Sequence, residues 1–140
     1  MLKRYENKIA FITGSSIGIG FGIAKRMAQE GATVIISSRK EKNVEQAVTK
    51  LKNEGLSAVG FPCHVGKKDQ RKKLYDFIKE KFGRLDILVL NAAISLQFGS
   101  PLETTEQIWD KTMDVNLKSV FFSILELKPL MPAGNYFFNK

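Results

Sequence analysis

The sequence predicts an α/β fold in which helices cover both faces of a doubly wound parallel sheet. Short apolar segments of strand length alternate along the chain with longer segments whose apolar residues recur at helical spacing. The strand-like segments are apolar on both faces, as in a parallel sheet that helices cover on each side. Glycine or proline follows most of these segments, where the chain must turn.

Four strands and four helices are expected. The strands are expected at residues 8–13, 33–37, 58–61 and 87–90, and the helices at residues 18–30, 41–54, 67–82 and 104–127. Right-handed crossovers give the strand order 3-2-1-4, which makes the sheet Rossmann-like. Gly134–Phe138 is either a fifth strand, giving the order 3-2-1-4-5, or part of an irregular tail at residues 128–140. We therefore expect residues 1–140 to form a single, incomplete domain.

The last expected helix has a start signal and an apolar face. Thr104 and Gln107 have the spacing of a capping box, in which each side chain bonds the other residue's backbone N–H. The face expected to pack on the sheet comprises Met113, Leu117, Val120, Phe121 and Ile124.

A glycine-rich turn joins the first strand to the first helix. It reads Thr13-Gly14-Ser15-Ser16-Ile17-Gly18-Ile19-Gly20, so its glycines are spaced Gly-x-x-x-Gly-x-Gly rather than Gly-x-Gly-x-x-Gly. The first amides of a helix lack internal partners and its dipole makes that end positive, which favours phosphate there. Glycine lets a pyrophosphate approach those amides. The loop is expected to bind a dinucleotide; the alternative is a tight turn without a ligand.

Ser37-Ser38-Arg39-Lys40 follows the second strand. In NAD-binding folds an acidic residue near this position bonds the adenosine ribose hydroxyls. Here the acid is absent, while a guanidinium can bind a 2′-phosphate bidentately and the serines add hydroxyl donors. The pattern favours NADP(H) over NAD(H). The alternative is a solvent-facing Arg39 that pairs with Glu41.

Three motifs in this order resemble the short-chain dehydrogenase/reductase family. They are the glycine loop with Thr13 before it, the segment Asp86–Ala93, which resembles the family's fourth strand and following turn, and Trp109–Asn116, which resembles its next helix. The resemblance extends from about Tyr5 to about Met131. Within the family, the chain is most similar to NADP(H)-dependent carbonyl and retinal reductases, through Ser37–Lys40, Cys63–Lys67 and Asn91–Ala93.

The resemblance implies further cofactor contacts. Asn91, Ala92 and Ala93 would border the nicotinamide ribose, with Ala93 at a position where the family usually has glycine. The alternative is a loop that only turns the chain. His64, followed by Val65, stands where most members carry an aspartate that bonds the adenine amino group. A metal site is not expected there, because too few ligands surround the histidine.

The resemblance also implies a role in chemistry for one residue. The family transfers a hydride between nicotinamide and a carbonyl or alcohol carbon, and the residue equivalent to Asn116 helps to hold a water in the proton relay to the active-site lysine. The alternative is an exposed polar residue on a helix face, although asparagine is a poor residue for a helix interior.

The family's catalytic Ser, Tyr and Lys follow a fifth strand and are not expected in this chain. Tyr136 and Lys140 match Tyr-x-x-x-Lys, but proline and glycine precede them, so the helix that would place both on one face is not expected. The chain is then the cofactor half of an oxidoreductase for ketones, dicarbonyls or retinoids. The alternative is a catalytically inactive nucleotide-binding or partner-binding fragment.

The charge and composition of the chain limit which partners and which cellular location are expected. The net charge is +8, and residues 67–73 hold the densest basic cluster, but Asp69 and Asp76 lie among these residues and no aromatic residue is interleaved to stack on bases. Nucleic acid is therefore not expected, nor is a membrane span, because no apolar stretch is long enough. The single cysteine, Cys63, suits a reducing compartment, and a cytoplasmic location is expected. For the full-length family, the resemblance implies a peroxisomal location as the alternative. An uncovered sheet edge and helix face predict either marginal stability or association, and the helix at residues 104–127 is the surface expected to form a homo-oligomer.

Overall fold

A computed structural model of the chain describes residues 3–132, and in it four parallel strands form one sheet. The strands are β1 Ile9–Ile12, β2 Thr33–Ile36, β3 Ala58–Gly60 and β4 Ile87–Val89. Their order is β3-β2-β1-β4, and all three pairings are parallel. The strand order expected from right-handed crossovers is confirmed.

Helices connect the strands and continue beyond β4. They are α1 Gly18–Gln29, α2 Glu41–Asn53, α3 Lys68–Phe82, α4 Glu106–Met113 and α5 Ser119–Leu127. The π-helical segment Asp114–Lys118 joins α4 to α5, and short 3-10 turns lie at Pro101–Glu103 and Lys128–Leu130.

The sheet separates two apolar layers. Ala10 and Ile12 of β1 pack with Val34, Ile36 and residues of α1 and α2 on one face. Phe11 belongs to the other face, whose buried residues are Phe11, Ile35, Cys63, Leu74, Ile78, Leu85, Leu127 and Leu130. Because β1 is buried on both sides, its alternate residues supply both layers. The expected burial of both faces is confirmed.

The last predicted helix begins later than expected. Thr104 closes the preceding 3-10 turn, and α4 starts at Glu106. The capping side chain is that of Thr105, whose Oγ1 accepts the N–H of Ile108 at 3.2 Å. The predicted capping box of Thr104 and Gln107 is therefore wrong by one residue, because Thr104 belongs to the preceding turn.

The buried face of this region also differs from the prediction. Leu117 and Phe121 are each 57% exposed. The residues that are buried instead are Val115, Ser119, Ser123 and Leu127. A π-helical turn takes more residues than an α-helical turn, so it rotates the face that follows. The small serine side chains then face the protein interior, and the Ser119 hydroxyl bonds the Val115 carbonyl at 2.6 Å.

Gly134–Phe138, Tyr136 and Lys140 lie outside the described residues. Within residues 3–132, no helix has the length and apolar character that crossing a bilayer requires.

Candidate functional site

The crevice between the carboxyl ends of β1 and β4 is held together by Thr13 and Asn91. The Thr13 hydroxyl accepts the backbone N–H groups of Asn91 and Ala92, each at 2.9 Å. In return, the Asn91 side-chain amide donates to the carbonyls of Thr13 and Gly14, each at 3.1 Å. Open α/β sheets bind ligands at such a point, where neighbouring connections leave in opposite directions. The side chains of both residues thus fix the start of the glycine loop against the turn after β4.

Ser15 ties the same loop to the end of β2. Its side chain is fully buried, and its hydroxyl donates to the Ile12 carbonyl at 2.6 Å and accepts the Ser37 N–H at 2.9 Å. The Ser15 N–H also donates to the Ser37 carbonyl at 2.9 Å. The hydroxyl and the N–H of Ser15 are thus both engaged within the protein, so the part of Ser15 in the site is to shape the loop.

Two glycine requirements explain the loop's composition. Gly14 and Gly18 have φ of 61° and 62°, in the left-handed region that favours glycine. At Gly20 the reason is space, because a Cβ there would lie 2.4 Å from the Gly14 carbonyl oxygen and 2.6 Å from Asn91 Nδ2. Helix α1 therefore begins with its backbone pressed against the loop.

The amino end of α1 carries no side-chain cap. Ile17 is at the N-cap position, and its side chain forms no hydrogen bond to the first turn of the helix. The first turn also contains no acidic residue. Ile17 and Ile19 are 73% and 78% exposed, and Ser16 is half-buried. Since Gly18 and Gly20 add no side chains, the positive end of the helix dipole is open to an anion.

The end of β2 presents positive charge beside this loop. Arg39 and Lys40 are exposed, and neither forms an ion pair within residues 3–132. The alternative pairing of Arg39 with Glu41 is thus not found in that part of the chain. The Cys63 N–H donates to the Ser38 carbonyl at 3.0 Å, which brings the loop after β3 next to Arg39.

Ser37 leaves a hydrogen-bonding group unused. Its side chain is 1% exposed, and its hydroxyl has no hydrogen-bond partner among the described residues. A buried hydroxyl without a partner costs about 1–3 kcal/mol. The donor and acceptor of Ser37 at the end of β2 are therefore groups that a ligand or an ordered water could satisfy.

The loop after β3 orients the imidazole of His64. Its Nδ1 accepts the Gly66 N–H at 3.1 Å, and its own backbone N–H donates to Gln70 Oε1 at 2.6 Å. Burial lowers the pKa of His64, and the positive charges of Arg39, Lys67 and Lys111 lower it further. A neutral imidazole that accepts at Nδ1 carries its proton on Nε2. His64 therefore offers a hydrogen-bond donor, where a carboxylate would offer acceptors.

Cys63 is a buried thiol in the same loop. Its side chain is 2% exposed, and burial raises its pKa to about 11. A thiol with such a pKa stays protonated at neutral pH and is a weak nucleophile. Residues 3–132 contain no group of three or more His, Cys, Asp or Glu side chains that could hold a metal ion.

Asn116 lies in the π-helical segment and holds the chain that follows Asn91–Ala93. Its Oδ1 accepts the Ile94 N–H and its Nδ2 donates to the Ile94 carbonyl, both at 2.8 Å. Segments of π-helix occur often at functional sites. Although Asn116 is exposed, its amide makes both of these bonds, so it connects α4 and α5 to the turn after β4.

Sequence reasoning missed two contributors. The Thr13 hydroxyl received no role, although a threonine directly after a buried strand is a signal for such a bond. Arg71 was grouped with the lysines of α3, yet it is only 8% exposed and pairs with Glu126. No local signal separates Arg71 from its lysine neighbours, because its partner lies 55 residues further along the chain.

Comparison with known proteins gives consistent results. The family model described as short chain dehydrogenase matches residues 8–136. "Dehydrogenase/reductase SDR family member 4" of Homo sapiens is 52% identical over 113 residues, which are 81% of this chain and 41% of that protein. "Tropinone reductase-like 3" of Erythroxylum coca is 44% identical over 133 residues, 95% of this chain and 52% of that protein. The chain thus spans about two fifths to one half of the length of these curated relatives.

A solved structure shares the fold. The crystal structure of a metagenomic short-chain oxidoreductase in complex with NADP superposes with a TM-score of 0.84 at 26% sequence identity. The similarity covers 89% of this chain and 57% of that one.

Proposed function

Because this chain belongs to the short-chain dehydrogenase family, we propose that it binds NADP(H) and forms the cofactor-binding part of an oxidoreductase for carbonyl or alcohol substrates. The observation that carries the proposal is the open amino end of α1, which Thr13, Asn91 and Ser15 hold at the carboxyl edge of the sheet. The NADP complex of the structurally similar oxidoreductase supports the choice of ligand.

Each part of the site has a proposed task. The amides that open α1, from Gly18 to Gly20, bind the pyrophosphate. Arg39 bonds the adenosine 2′-phosphate, with Lys40 adding positive charge and the Ser37 hydroxyl available as a donor. Asn91–Ala93 border the nicotinamide ribose. When bound, the cofactor supplies the hydride chemistry.

The loop after β3 and the π-helical segment complete the proposal. His64 and Val65 contact the adenine, with Nε2–H of His64 donating to a ring nitrogen. Asn116 keeps the turn after β4 in place and orders a water for proton transfer. The substrates are ketones, dicarbonyls or retinoids, as the resemblance to carbonyl and retinal reductases implies.

We further propose that residues 1–140 alone do not supply the proton. A Tyr with a lowered pKa, a nearby Lys and a Ser perform that step in the family, and no serine lies between Met131 and Lys140. On this proposal the chain retains nucleotide affinity without turnover, which is the behaviour of a nucleotide-binding fragment.

Two measurements test these statements separately. Isothermal titration of the chain with NADPH is expected to show saturable binding of one nucleotide per chain. A second assay, following NADPH absorbance with a dicarbonyl substrate, is expected to show no oxidation above background. Absence of binding would overturn the proposed function, whereas steady turnover would overturn only the claim that the chain is inactive.

A second candidate function is self-association through α4 and α5. The outward face of this region exposes large apolar side chains, namely Trp109, Leu117, Phe121, Phe122 and Leu125. Leu117, Phe121 and Phe122 line one shallow apolar pocket, and exposed apolar surface of this kind marks an interface. We expect a concentration-dependent dimer in sedimentation velocity that Phe121→Glu converts to a monomer. A wild-type chain that stays monomeric at the highest soluble concentration would contradict this.

A further inference from the structure

Arg71 is a buried arginine on a helix whose other charged residues face solvent. Its Nε and Nη2 donate to the two carboxylate oxygens of Glu126 at 2.9 and 3.1 Å. Its Nη1 donates to the Val65 carbonyl at 2.8 Å, and its guanidinium carbon lies 5.8 Å from the centre of the Phe122 ring. One side chain of α3 thus joins α5 to the loop after β3.

Helix packing alone does not account for this choice of residue. Replacing a buried ion pair by apolar side chains of similar volume is often neutral or stabilising. An apolar side chain at position 71 could pack against Phe122, but it could not donate to the Val65 carbonyl. The guanidinium packs against Phe122 and also donates from Nη1 to the Val65 carbonyl. Its Nε and Nη2 are held by the bidentate pair with Glu126.

The bond to Val65 completes the support of the loop. On one side the Cys63 N–H bonds the Ser38 carbonyl at 3.0 Å. On the other side Gly66 lies close to the π-helical segment Asp114–Lys118, since a Cβ added to Gly66 would be 3.7 Å from Val115 Cγ2. Between these points the Val65 carbonyl is held by Arg71. The position of Val65 in turn fixes that of His64, the residue that precedes it in the chain.

We propose that Arg71, together with Glu126, is a positioning residue for the adenosine half of the cofactor. It holds the loop of residues 63–67 so that His64 and Val65 face the base, and affinity for that half therefore depends on α5. This inference rests on the proposed function, because it requires that the chain binds NADP(H). It adds that nucleotide affinity depends on Glu126, which lies on α5, whereas the loop that Glu126 helps to support follows β3.

Two half-ligands separate this role from a general effect on folding. The probe 2′,5′-ADP carries the adenosine half and its 2′-phosphate, and reduced nicotinamide mononucleotide carries the other half. Arg71→Met keeps a long apolar side chain against Phe122 but loses all three hydrogen bonds. We expect it to weaken 2′,5′-ADP binding about tenfold or more while changing mononucleotide binding, measured by ligand-observed NMR, less than twofold.

Matched variants make the test decisive. Lys72→Met is the control, because Lys72 is exposed on the same helix and pairs only with Asp76 among the described residues; it should change neither affinity. Arg71→Lys can reach one partner and should recover part of the affinity. In a double-mutant cycle, Arg71→Met should cost less in the Glu126→Gln background than in the wild type.

The outcomes distinguish the inference from the function beneath it. Equal loss for both half-ligands, or wild-type 2′,5′-ADP affinity in Arg71→Met, would overturn the positioning role alone. If Arg71→Met does not fold, Glu126→Gln decides in the same way, with an expected loss of about threefold for 2′,5′-ADP only. A wild-type chain that binds neither NADPH nor 2′,5′-ADP would overturn the proposed function, and this inference with it.

Discussion

The Thr13 hydroxyl accepts two neighbouring backbone N–H groups, those of Asn91 and Ala92, each at 2.9 Å. One side chain at the end of β1 thereby satisfies the first two amides of the Asn91–Ala93 turn. Because the Asn91 amide bonds the Thr13 and Gly14 carbonyls in return, the two walls of the crevice are joined in both directions. The site therefore depends on a contact between residues 78 positions apart.

Replacing Thr13 by valine should destabilise the fold. Valine has the same shape but no acceptor, so two partly buried N–H groups lose their partner, at about 1–3 kcal/mol for an unsatisfied group. Urea unfolding of Thr13→Val against the wild type measures the loss. Thr13→Ser keeps the oxygen and is the control, which should lie much closer to the wild type. Equal stability of Thr13→Val and the wild type would show that these bonds contribute little.

Gly20→Ala and Gly22→Ala should have opposite consequences. The added Cβ at Gly20 would lie 2.4 Å from the Gly14 carbonyl oxygen, whereas nothing lies within 4 Å of a Cβ at Gly22. Gly20→Ala should therefore displace the loop and abolish nucleotide binding. Gly22→Ala should bind normally and gain about 0.5–1 kcal/mol, because alanine favours a helix interior. Thermal melting with and without NADPH measures both effects, and intact binding by Gly20→Ala would refute the expected clash.

Cys63 should resist thiol reagents in the folded chain. Burial raises the pKa of the thiol to about 11, so little thiolate exists at pH 8. The side chain is also only 2% exposed, so the reagent cannot reach the sulfur. We expect labelling to be more than about 100-fold slower than in the urea-unfolded chain, since the thiolate is the reactive form. The chain has one cysteine, so the absorbance change reports this site alone. Labelling at the unfolded rate would show that the thiol is accessible.

His64 should make stability depend on pH in the acidic range. Burial and the positive charges of Arg39, Lys67 and Lys111 lower its folded pKa below 6.5. The unfolded chain then binds more protons, so stability falls as pH drops from 6.5 towards the folded pKa, and the effect is absent above 6.5. His64→Gln cannot titrate and should lose this part of the slope.

The direct check of that prediction is NMR titration. The chain contains one histidine, so its ring proton resonances are assigned without ambiguity. A folded pKa at or above 6.5, or identical pH dependence of unfolding in His64→Gln, would contradict the prediction.

The strand order and the location of the site could be predicted from sequence because their signals are local. Four apolar runs, each followed by a turn or helix signal, were enough for the topology. The loop at Gly14–Gly20 was recognisable because its glycines meet steric needs that other residues do not meet as easily. Each strand begins and ends within one residue of the predicted position.

The region after β4 could not be predicted as well, because its structure depends on distant contacts. A continuous α-helix was expected from residue 104, and the π-helical segment Asp114–Lys118 changes which side chains face inward. The apolar stripe of Leu117 and Phe121 has helical spacing whether it faces a core or solvent. In the same way, the sequence around Arg71 predicts an exposed residue, and its burial depends on the pairing with the distant Glu126.

Selectivity between NADPH and NADH, before and after removal of the Arg39 charge, tests the proposed site most directly. We expect the wild-type chain to bind NADPH more tightly, and Arg39→Gln to lose about 10- to 100-fold in NADPH affinity while NADH changes little, since hydrogen bonds to charged groups contribute about 1.5–3 kcal/mol. Lys42→Gln, an equal change of charge at an exposed position of α2, should leave both affinities unaltered. Equal affinity of the wild type for the two nucleotides, or an Arg39→Gln variant that prefers NADPH over NADH as strongly as the wild type does, would contradict the assignment of Arg39 to the 2′-phosphate.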